Sequence, residues 1–130
     1  MKKLLLVFIS ALFFLSCKNS NDSLNLNNGE KWEINEEMRP FINTGSEMVN
    51  GFLDAEHGDY RILAYDLKTH NDELVKSCTM KGQSHDELHK WLLPHLELVA
   101  KLESVKDDKE AKKIVKELQE SYQRFDKNFK

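Results

Sequence analysis

The chain has 130 residues, 32% of them charged, and a net charge of −3. That acidic balance argues against a nucleic-acid partner, which would call for a basic patch. Two prolines and five glycines suit helices better than a turn-rich β fold.

The N-terminus opens on Met1-Lys2-Lys3, and Leu4 to Leu15 is apolar apart from Ser10. A bilayer-spanning helix needs about 20 apolar residues, so this run is too short to cross and fits the apolar region of a secretory signal peptide. Phe14-Leu15-Ser16-Cys17 follows, a small residue before a cysteine, and resembles the bacterial lipobox; Phe14 stands where an aliphatic residue is usual. The resemblance implies diacylglycerol transfer to Cys17, cleavage after Ser16 and acylation of the new N-terminus. Residues 1–16 are then signal peptide, and the mature chain is a lipoprotein whose first partner is a membrane. Two or three acyl chains anchor stably where one is marginal. Lys18 rather than Asp follows the cysteine, which by analogy with enteric bacteria permits sorting to the outer membrane, facing the periplasm or the cell surface. The alternative is an ordinary secreted protein with an incidental cysteine.

Residues 17–30 read as the lipidated N-terminus and a flexible tether. Lys18 to Glu30 is mostly Asn, Ser, Asp and Lys around isolated Leu24 and Leu26, too little apolar surface to order itself. Residues 31–130 form the folded part, about 100 residues and enough for one modest core. No internal repeat is present.

Four segments carry apolar residues at helical spacing. The first holds Met38, Phe41, Ile42, Met48, Val49 and Phe52, with Asn35 as N-cap, and ends where Asp54 to Gly58 breaks the pattern. The second holds Tyr60, Leu63, Ala64, Leu67, Leu74 and Cys78 behind an Asp59 cap, ending at Lys81-Gly82-Gln83. The third opens at Ser84 with Glu87 three residues on, a capping-box pattern, and continues through Leu88, Leu92, Leu96, Val99 and Leu102. The fourth starts near Asp107 or Asp108 and holds Ala111, Ile114, Val115, Leu118, Tyr122, Phe125 and Phe129. Pro40 falls near the start of the first helix. Pro94 falls inside the third, where a kink or a break is expected. Short connections predict an all-α, antiparallel up-down-up-down four-helix bundle.

That topology brings Met38, Cys78, Met80, His85, His89 and Asp126 to one end. Thiolate and thioether sulfur select Cu(I) and similar ions, and imidazole suits copper and zinc. Cys78-Thr79-Met80 followed by His85 and His89, one helical turn apart on a shared face, supplies all three donor types. With Cys17 acylated, Cys78 is the sole thiol in an oxidising envelope, a liability unless it is buried, paired or bound. The favoured reading is binding of a soft or borderline metal, copper first, by Cys78, Met80, His85 and His89 with Met38 as an axial or supporting ligand. A non-catalytic structural or protein-interaction lipoprotein without metal is the alternative, in which Cys78 and the methionines pack as hydrophobes and the histidines are solvated. A Cys78–His85 nucleophilic pair is a third reading. Nothing in the sequence suggests an oxyanion hole or a substrate cleft, so no enzyme is expected. His57 and His70 read as surface residues, and His95 as a packing residue beside Pro94.

Asn35-Glu36-Glu37-Met38 and the stretch from Lys109 to Lys130 resemble the first turn and the last helix of the cytochrome b562 family of four-helix haem proteins. The resemblance implies the bundle fold and an axial methionine at Met38. The position of the family's axial histidine is Asp126, so haem ligated in the family manner is not implied. Haem would need His85 or His89 in a non-standard arrangement. No CxxCH attachment motif is present.

Overall fold

A computed structural model describes residues 23–130. Cys17 and the signal segment lie outside the described residues. The described chain is all-α. A 3₁₀ turn, Glu36–Met38, leads directly into α1 (Arg39–Asp54); α2 (Tyr60–Ser77), α3 (Gln83–Ser104) and α4 (Asp108–Asn128) follow. Each helix packs against the next, and α4 closes on α1, as in a four-helix bundle. Among the described residues, no helix is long and apolar enough to cross a membrane.

The helix starts show why the chain divides where it does. The Asp59 side chain accepts the Arg61 backbone N–H, and Asp107 accepts those of Lys109 and Glu110, satisfying N–H groups that have no partner inside a helix. Pro40 sits in the first turn of α1, where its missing N–H costs nothing. The start of α3 differs from the capping-box expectation. Gly82, at φ 71°, turns the chain so that the helix begins at Gln83 without a side-chain cap, and Ser84 lies inside it. A side chain at that φ would be strained. α3 then runs through Pro94 without a break.

The core collects one stripe from each helix. Ile42 and Val49 come from α1, Leu67 and Leu74 from α2, Leu88 and Leu102 from α3, and Val115, Leu118 and Phe125 from α4, each nearly or wholly buried. Each such side chain is worth about 1.5–3 kcal/mol in transfer from water. Trp32 and Phe129, joined by an isolated β-bridge, are both buried in the core.

From Leu24 to Ile34, the chain before the first helix is tied to the bundle. Asn27 and Glu30 exchange backbone hydrogen bonds across Asn28-Gly29, both at positive φ. The Trp32 indole N–H donates to the Asn25 carbonyl at 2.6 Å, and the Asn25 N–H donates to Glu87 Oε2 at 3.2 Å. Further on, Trp32 exchanges backbone bonds with Asn128 and Lys130, and the Ile34 N–H donates to the Lys130 carbonyl. Leu24 and Ile34 pack against the core. Backbone pairing and three anchoring side chains order a stretch whose polar composition alone would leave it free.

Candidate metal centre

Four of the expected donors, Cys78, Met80, His85 and His89, lie along the chain between the end of α2 and the second turn of α3. Cys78 is the residue that ends α2, already extended at φ −74° and ψ 118°. It is a free cysteine, half-buried, and both it and Met80 pack against the core. The connector is clamped by a residue far away in sequence: Asn35 Nδ2 donates to the Ser77 carbonyl at 2.9 Å, and Asn35 Oδ1 accepts the Thr79 N–H at 3.1 Å. Both bonds flank Cys78. The same Nδ2 donates to Glu37 Oε2, which holds the Glu37 carboxyl below the usual carboxylate range. Asn35 holds the expected N-cap position of the Glu36–Met38 turn, where its carbonyl accepts the Met38 N–H, but its side chain makes no capping bond and locks two segments together instead.

His85 and His89 occupy the first two turns of α3. Their rings meet edge-on with centroids 4.3 Å apart, His85 half-buried and His89 exposed. The shared face expected from their spacing is thus present. Between them, Glu87 is 7% exposed. Its carboxylate accepts from the Asn25 N–H and from Lys90 Nζ, the latter at 2.8 Å. Glu87 therefore joins the N-terminal segment to the histidine-bearing turn rather than capping α3.

Met38 lies wholly inside the core. Asp126 is exposed. Among the described residues, no three His, Cys, Asp or Glu side chains form a group that could hold a metal ion. The imidazole pair is assembled, and the sulfur donors sit on the connector leading into it.

A second polar region lies at mid-bundle and was not read from the sequence. His95 is fully buried, its Nδ1 3.0 Å from Ser121 Oγ. Its ring stacks on Trp91 at 4.8 Å and meets Tyr122 edge-on at 4.7 Å. The Trp91 indole N–H donates to the Ser121 carbonyl at 2.8 Å. Burial, with a smaller contribution from the Arg124 charge, pushes the His95 pKa down to about 3, so the ring is neutral. Burial also pushes the Tyr122 phenol up. Among the described residues, His95 Nε2, the Tyr122 hydroxyl and both polar atoms of Asn71 have no hydrogen-bond partner. His70, expected at the surface, is half-buried: its Nε2 lies 2.8 Å from the Phe41 carbonyl.

Comparison with protein-family models, with curated proteins and with solved structures finds no match to this chain.

Proposed function

We propose that the protein is an envelope lipoprotein, acylated at Cys17, that binds a soft or borderline metal ion, copper favoured, at one end of an antiparallel up-down-up-down bundle. His85 and His89 supply nitrogen, Cys78 and Met80 supply sulfur, and Met38 backs the site from the core. The reading is carried by the imidazole pair at 4.3 Å in the first turns of the helix into which the Cys78 connector leads. Two histidines one turn apart on one helix face are a recurrent chelating element.

Cys78 and Met80, whose side chains pack against the core, would have to turn toward the imidazole pair to join it, with Asn35 holding the backbone on both sides of Cys78. Competition with a Cu(I) chelator, in the native chain and in Cys78→Ser and His89→Ala, tests the reading.

The second reading is a non-catalytic interaction lipoprotein. It is favoured by the lack of a preassembled donor group among the described residues, and by exposed Ile62, Tyr65 and Leu93 on α2 and α3. It predicts no copper binding in the same competition.

A further inference from the structure

We infer that the bundle end carrying Cys78, His85 and His89 is the membrane-proximal end, so that a metal ion held there is taken up and released beside the lipid surface. This rests on the proposed acylation of Cys17 and deepens the metal reading by giving it a direction.

The argument starts from the strap between Leu24 and Ile34. Its first fixed point is the Asn25 N–H on Glu87, the residue between His85 and His89. Its second is the Trp32 indole on the Asn25 carbonyl. Its third is the backbone pairing of Trp32 and Ile34 with the end of α4. The strap then leads into Asn35, whose side chain grips Ser77 and Thr79 on either side of Cys78. The start of α3, the end of α2 and the end of α4 are thus all tied to one short stretch of chain. That stretch is where the chain arrives from Cys17.

The distances decide the direction. Eight residue steps separate Cys17 from Asn25, and at about 3.6 Å per residue they span at most about 29 Å whatever their conformation. From Glu87 to Ser104, α3 extends for roughly 26 Å at 1.5 Å per residue, with the α3–α4 connector beyond it. The opposite end could therefore face the membrane only with the linking chain drawn out almost completely along the flank of the bundle. Such full extension forfeits nearly all of its conformational freedom. With the strap end towards the membrane no such extension is needed. No contact between side chains and headgroups is required either: the strap sets the orientation and the lipid supplies the surface.

The test uses the full acylated protein on phosphatidylcholine vesicles carrying an acceptor dye on a fraction of the headgroups. A donor dye is attached either to the native Cys78 or, in Cys78→Ser, to Glu56→Cys on the exposed connector between α1 and α2. Asp126→Cys in Cys78→Ser, at the exposed end of α4, is a second near-end probe should a dye on Cys78 disturb its surroundings. Energy transfer to the headgroups should be several-fold stronger from Cys78 and Asp126→Cys than from Glu56→Cys. Equal transfer, or stronger transfer from Glu56→Cys, overturns the orientation. Failure of the protein to associate with vesicles overturns it at its root by removing the anchor. Copper affinity of the unlabelled protein, measured separately, bears on the metal reading alone, so the two can fail independently.

Discussion

Asn35 Oδ1 accepts the Thr79 backbone N–H at 3.1 Å across 44 positions of sequence, while Asn35 Nδ2 donates to the Ser77 carbonyl at 2.9 Å. One amide side chain therefore fixes the backbone on both sides of Cys78. Asn35→Ala removes both bonds, one part-buried and one exposed, and should cost about 0.5–1.5 kcal/mol for each. It should also loosen the connector. Thermal denaturation reads the first effect, and the alkylation rate of Cys78 reads the second, which should rise. Unchanged alkylation in a destabilised variant would show that the clamp serves the fold and not the thiol.

How much of this was open to sequence reasoning differs by residue. Asp59 was legible as a cap, and the start of α4 was placed at Asp107 or Asp108, because an aspartate before an apolar-periodic run has a local job, and local chemistry is written locally. Ser84 and Glu87 looked equally local, yet Gly82 starts the helix earlier and Glu87 turns to Asn25, a partner supplied by the strap. Asn35 does stand at the N-cap position, but its side chain turns to partners 42 and 44 residues away, which local sequence does not reveal. Asn71 and Ser121 are buried, although a polar residue on a helix reads as solvent-facing. Their burial is decided by neighbouring helices. The His85–His89 pair was legible, since four residues make one helical turn. Whether Cys78 joins it depends on a connector whose path no periodicity describes.

Gly45 and Tyr122 give a packing prediction. A Cβ on Gly45 would collide with the Tyr122 hydroxyl and would lie 2.9 Å from Cζ. In an exposed helix Gly→Ala gains up to about 1 kcal/mol. Here the collision should reverse the sign, and Gly45→Ala should lose about 1–3 kcal/mol. Tyr122→Phe removes the colliding oxygen, so the double variant should recover part of that loss. Chemical denaturation of the four proteins measures the coupling. A stabilised Gly45→Ala would contradict the close approach.

His95 gives a pH prediction. Its ordinary pKa of 6.5 is lowered to about 3 by burial. The unfolded chain therefore takes up a proton below about pH 6.5 that the folded chain refuses. Stability from this residue is complete above that pH and falls by up to about 1.4 kcal/mol per pH unit on acidification toward pH 3. His95→Gln should flatten the decline between pH 6 and pH 4 relative to the native protein, as read by denaturation across that range. An identical decline in both proteins would place the sensitivity elsewhere.

The central claim is tested most directly by Cu(I) binding to a soluble form beginning at Lys18, followed by competition with a chelator under reducing conditions. The account predicts close to one Cu(I) per chain, with affinity reduced at least tenfold, or about 1.4 kcal/mol, by Cys78→Ser or His89→Ala. No binding, or binding that neither substitution changes, would contradict it.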